Sequence, residues 1–235
     1  MELGTKEKAA LKTLMKKILS KIAMGLLIIG VLLVGWIAFD IYTPHKVDIR
    51  DFDADEIARL DTAMWRSYYS RRRVQMFPEL TEVLEKQYKL RFWRRQLMAF
   101  YAARSAFVFK DGKARADYEK ALPDLEKFYN EIRAVSTTDF DVKRAAQTEL
   151  EWWIVHRERA KYQEGDLAKA LADAASALYN VAPEKFLEYG KFRAEAMKIR
   201  DREAEAGGVS DEDWQKIDEL LHQSWRSLHT VVNMK

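Results

Sequence analysis

The densest run of side chains able to do chemistry is Glu149-Leu-Glu151-Trp152-Trp153-Ile-Val-His156-Arg157. Glu149 and His156 are seven residues apart, so on a helix they share a face two turns apart, about 10.5 Å in rise. A carboxylate and an imidazole so placed are candidate metal ligands, or one wall of a b-type haem pocket, with the other ligands supplied by other helices. Di-iron bundles use two Glu-x-x-His motifs for this, and the sequence does not hold two: Glu219-Leu-Leu-His222 stands alone. The competing reading is a Trp-rich core segment flanked by a hydrogen-bonded boundary histidine, and the sequence favours it. His222 and His229 are also seven apart, but they lie off the apolar stripe of their segment and lack a third ligand. There is no Gly-rich phosphate loop, no G-x-S-x-G and no H-E-x-x-H. The chain has no cysteine, which removes disulfides, thiolate zinc sites, iron–sulfur clusters and cysteine nucleophiles together. No catalytic residue, cofactor or small-molecule substrate is assigned, and the expectation is a protein that is not an enzyme.

A second group is defined by recognition chemistry. Between residues 65 and 104 arginines interleave with aromatic residues, and Arg and Trp are enriched where proteins dock. Arg71, Arg72, Arg73, Arg91, Trp93, Arg94 and Arg95 are the expected partner-docking set. The ordinary alternative is a row of solvated arginines lying over aromatic core edges.

Positioning these groups requires elements, and the first is apolar. Residues 22–39 read IAMGLLIIGVLLVGWIAF, with no charge. About 20 residues of helix cross a hydrocarbon core of roughly 30 Å, so 22–42 is expected to be a transmembrane helix, an uncleaved signal anchor. Trp36 and Tyr42 suit its interfacial end. The leader, 1–21, holds six lysines against Glu2 and Glu7, and Leu11, Leu14, Met15, Ile18 and Ile22 follow helical spacing among them. Such a basic amphipathic stretch favours an anionic membrane surface, with Lys12, Lys16, Lys17 and Lys21 as the contacts. The far flank is mixed in charge, so the lysine asymmetry predicts a cytoplasmic N-terminus. The rest of the chain would then be extracytoplasmic, periplasmic in a bacterial inner membrane. The leader's excess of lysines exceeds the net +3 of the whole chain. The remainder is therefore slightly acidic, which argues against nucleic acid as a partner.

Beyond a linker, 43–52, the pattern predicts an all-α domain over 53–235, a bundle of six to seven antiparallel helices with short connections. Gly (9) and Pro (4) are few, which suits long helices better than many strands. Asp53 with Glu56 reads as a capping box opening a helix to about residue 76, with Pro78 as punctuation. Further helices are expected over about 79–109, 114–135 with a kink or restart at Pro123, and 140–162 capped by Thr138 or Asp139. The last three are expected over about 167–180, 183–206 and 211–232. The final one opens on a Ser210/Asp213 box and carries a stripe of Trp214, Ile217, Leu221, Trp225, Leu228 and Val232.

Residues 162–183, YQEGDLAKALADAASALYNVAP, resemble the second half of a tetratricopeptide repeat. Gly165-Asp166 stands at the turn, Ala170 and Ala177 at the small positions, and Pro183 one residue late. The resemblance covers one hairpin, and it implies helix pairs held in close contact by small residues. With anchor, Trp- and Arg-rich helices and no catalytic signature, the expected role is accessory. The chain would dock on other subunits of a larger integral-membrane complex, for example a respiratory or photosynthetic one. A metal- or haem-binding bundle and a peptide-binding module of repeat-like hairpins are the alternatives.

Overall fold

The computed structural model describes residues 4–234. It is 82% helical, with no strand among the described residues. The chain divides into two compact units, Met1–Thr43 and Pro44–Lys235. The first is a single helix, α1 (Thr5–Tyr42), of 38 residues, or about 57 Å at 1.5 Å per residue. Its most apolar stretch has a mean hydropathy of 2.7, so α1 is long and apolar enough to cross a membrane. Lys12, Lys16, Lys17, Lys21, Trp36 and Tyr42 are carried on this one helix.

The second unit is built from hairpins. Its helices are α2 (Ala54–Tyr69), α3 (Arg73–Tyr88), α4 (Phe92–Asp111), a short α5 (Arg115–Tyr118), α6 (Leu122–Val135), α7 (Val142–Arg157), α8 (Asp166–Tyr179), α9 (Leu187–Glu205) and α10 (Asp211–Asn233). Successive long helices pack side by side, and α10 then packs on α2. The order of neighbours is a closed circuit: α2, α3, α4, α6, α7, α8, α9, α10 and back to α2.

One end of the circuit is tied by the segment through which the chain enters. Val47 exchanges backbone hydrogen bonds with Val135 and Thr137. Lys46 Nζ donates to the carbonyls of Arg133 and Ser136 at 3.2 and 3.0 Å, satisfying the open end of α6. Arg50 donates to the Tyr179 carbonyl that ends α8, and Asn233 near the end of α10 donates to the Arg50 carbonyl. Ile49 and Phe52 are buried. The expected linker 43–52 is therefore, from Pro44 on, a strap integral to the domain. The turn joining α2 to α3 lies about 24 Å away along α2.

Several boundaries differ from the sequence expectation. The first long helix ends at Tyr69, not at 76. Arg71 adopts the left-handed conformation, φ 58°, and the amides of Arg72 and Arg71 bond back to the carbonyls of Ser67 and Tyr68, a Schellman closure. Pro78 does not end a helix: it lies inside α3, which runs through it. The expected helix over 79–109 is split at Lys89, which is also left-handed. Asp141, and not Thr138 or Asp139, caps α7 by accepting from the amides of Lys143 and Arg144. Asp53 caps α2 as expected, but the Glu56 side chain turns away to Lys86 at 2.9 Å. The restart near Pro123 is present as a 3-10 turn, Glu119–Ala121, leading into α6. The Ser210/Asp213 capping box and every residue of the α10 stripe are where the periodicity puts them, all six stripe residues being buried.

Candidate functional site

Helix α7 places Glu149 and His156 in separate surroundings. Both Glu149 oxygens are occupied: Tyr129 Oη on α6 donates to one at 3.0 Å, and Trp153 Nε1 donates to the other at 3.0 Å. His156 Nε2 stands 3.0 Å from Asp201 Oδ2 on α9. Asp201 also pairs with Arg159 at 3.4 Å and with Arg200, whose guanidinium lies 3.6 Å from the centre of the Tyr69 ring. Although burial opposes ionisation, His156, Arg200 and Arg159 together hold the Asp201 carboxyl below its usual range. The two sequence candidates are thus not brought to one centre. Among the described residues no group of three or more His, Asp or Glu is placed to hold a metal ion.

Around Glu149 the circuit encloses phenols from four helices: Tyr88 on α3, Tyr129 on α6, Tyr179 on α8 and Tyr189 on α9, all buried. Burial pushes each phenol up. The Glu149 carboxylate adds to the effect at Tyr88, Tyr129 and Tyr189. Gln87 donates to Tyr179 Oη at 3.4 Å and partly offsets the effect there. Neutral phenols are what a low-dielectric interior keeps.

Next to this cluster lies a buried ion pair that motif searching does not find. Arg193 on α9 donates to Asp61 on α2 at 2.6 Å, and Trp225 Nε1 on α10 donates to the same oxygen at 2.9 Å. The guanidinium lies 5.1 Å from the Trp65 ring centre and 5.7 Å from that of Trp225. Burial disfavours the charged guanidinium, yet Asp61 outweighs it and leaves Arg193 more firmly protonated than usual. A signal was present in the sequence. Asp61 is four residues after Ile57 and Arg193 is four after Tyr189, so each puts a charge on an apolar stripe. Two opposite charges in two such places imply a buried pair. The network contains no nucleophile with an adjacent base, and it joins the helices on which its members sit.

The expected docking set divides. Arg94 pairs with Glu131 on α6, and Arg95 pairs with Glu85 on α3 and lies 5.2 Å from the Phe92 ring centre. Arg94 is buried, which removes it from an exposed docking surface. Arg91 and Trp93 are half-buried. Arg71, Arg72 and Arg73 are exposed at the α2–α3 turn. Neither Arg71 nor Arg72 makes an ion pair among the described residues, and Arg73 lies 5.8 Å from the Phe107 ring centre. Beside them stand exposed Tyr68, Phe107 and Val74, the last 93% accessible. Along α4, Phe92, Phe100 and Phe107 fall within one narrow arc, about 80° wide at 100° per residue. All three are exposed. No protein-family model matches this chain, and neither a curated protein nor a solved structure matches it.

Proposed function

We propose that this chain is a membrane-anchored, non-catalytic accessory subunit. α1 crosses the bilayer with its N-terminus in the cytoplasm, and the helical domain docks on other subunits of an integral-membrane complex from the extracytoplasmic side. One observation carries the reading: Phe107, at one end of the exposed aromatic stripe of α4, meets Arg73 of the α2–α3 turn, so apolar and cationic groups stand together on the surface there. Arg94, Arg95, Arg104 and Arg193 are held in ion pairs, whereas Arg71 and Arg72 stand exposed without one among the described residues, beside Tyr68, Val74 and Phe107. That composition matches the anchors of protein interfaces, and the charge selects an acidic protein surface as the partner. The peptide-groove alternative has less support, because α10 closes onto α2 and joins the two ends of the hairpin series.

The test is to change Arg71, Arg72 and Arg73 together to Glu. The native protein is then extracted in mild detergent, sized, and its co-eluting proteins identified by mass spectrometry. The wild-type chain is expected to travel with a membrane complex at fixed stoichiometry, and the variant to elute alone. A wild-type chain that elutes alone would overturn the accessory role. Unchanged co-elution of the variant would remove this face from it.

A further inference from the structure

The leader ahead of the apolar span carries an exposed apolar face on α1. α1 runs unbroken from Thr5 through Tyr42. It has no proline, and its first internal glycine is Gly25. Sharp bends need proline, glycine–serine pairs or a bulge. The leader therefore continues the axis of the span for about 25 Å and does not fold back along a surface. On that extension Leu11, Leu14, Met15, Ile18 and Leu19 are all exposed. Their spacing is heptad spacing. With Met15 and Ile22 at a, Leu11 and Ile18 fall at d, while Lys16, Lys17, Thr13 and Ser20 fall at the outward b, c and f positions. Lys8, at the preceding a position, ends the seam on its N-terminal side.

The flanking positions identify what covers the seam. In a parallel pair, a g residue faces the e residue five places on in the other helix. Here Glu7 (g) would face Lys12 (e), and Leu14 (g) would face Leu19 (e). Ahead of the span one pair is opposite in charge and the other apolar against apolar, while Lys21 (g) would face Leu26 (e) inside the span; the leader itself is complementary in parallel alignment. A shared membrane imposes that alignment. We infer that the leader helices of two copies pair as a short parallel coiled coil through Leu11, Met15, Ile18 and Ile22. This inference rests on the membrane-anchored reading.

The absence of cysteine makes the test direct. Single Leu11→Cys, Met15→Cys and Ile18→Cys variants, with Thr13→Cys, Lys17→Cys and Ser20→Cys as outward controls, are oxidised in native membranes. Disulfide-linked dimer is expected at the first three in at least about fivefold higher yield than at the controls. Glu7→Lys should lower the yield at Leu11→Cys, and adding Lys12→Glu should restore it. A chain recovered in the soluble fraction would overturn the anchored reading itself. A membrane-bound chain with a flat cross-linking profile would overturn the seam alone. So would seam cysteines that fail to cross-link and resist an aqueous maleimide, which would assign the face to lipid.

Discussion

Replacing Asp61 with Ala would strand the Arg193 guanidinium between Trp65 and Trp225. The pair is enclosed, with side-chain exposures of 13% for Arg193 and 3% for Asp61. Removing one partner of a buried pair costs about 3–5 kcal/mol, because the remaining charge stays desolvated. Trp225 Nε1 would lose its acceptor as well, a further ~1 kcal/mol that overlaps with the first figure. A total near ~4 kcal/mol is a large share of the 5–15 kcal/mol typical of domains. The assay is a urea titration of the full chain in detergent, followed by tryptophan fluorescence. The midpoint is expected to fall while the slope stays constant. Asp61→Leu combined with Arg193→Met should recover more than half of the loss, since an apolar pair of similar volume needs no desolvation. A loss below about 1 kcal/mol in Asp61→Ala would refute the reasoning: water would then reach Arg193, and the network would not be a dry joint between α2, α9 and α10.

Gly190→Ala should destabilise the α8–α9 hairpin, because the new Cβ would lie 2.1 Å from the Ala168 carbonyl oxygen, a backbone atom. Overpacking of about 1–3 kcal/mol exceeds the ~1 kcal/mol gain in helix propensity. The melting temperature should therefore fall, whereas the exposed neighbour Lys191→Ala should leave it within a degree or two. The buried phenols predict an alkaline limb of instability. Burial raises Tyr69 to about 12 and raises Tyr88, Tyr129, Tyr179 and Tyr189 in the same direction. The unfolded chain loses these protons near pH 10, earlier than the folded one. Their contribution to stability is thus complete below about pH 10 and is lost as pH rises through the folded values. Spectrophotometric titration should show these phenols ionising only as the protein unfolds, above about pH 10. A single step near 10 would contradict the buried cluster.

The parts of the fold legible in the sequence are those where one face decides. α10 has a single stripe and a side-chain cap, and both appear as expected. The apolar span is legible because 22–39 holds no charge at all. Two helix ends were not legible, because the usual punctuation is glycine and here Arg71 and Lys89 take the left-handed position. Without a glycine signal the periodicity ran through both ends, and the break was assigned to Pro78, which in fact lies inside α3. The interior site was half legible. Glu149 and His156 stood out by residue type, but which helix faces each is set by the packing order. That order gives Glu149 to Tyr129 and His156 to Asp201. The closed circuit could not be read at all, since nothing local to α2 or α10 states that they meet.

The two left-handed residues also differ in what their side chains do for the fold. A side chain with a Cβ in this conformation costs roughly 1–2 kcal/mol, and glycine would avoid it. At Lys89 the fold supplies a reason for the side chain: Nζ pairs with Asp51 of the strap, so the residue that ends α3 also ties the chain's point of entry. At Arg71 it supplies none. The turn is closed by backbone bonds to Ser67 and Tyr68, which glycine would make equally well, and the guanidinium projects into solvent beside Arg72. Arg71 thus strains the backbone and forms no ion pair among the described residues, which the proposed docking role would account for. On the proposed reading the docking chemistry lies at the α2–α3 turn, while the polar groups of the interior hold the helices that present it.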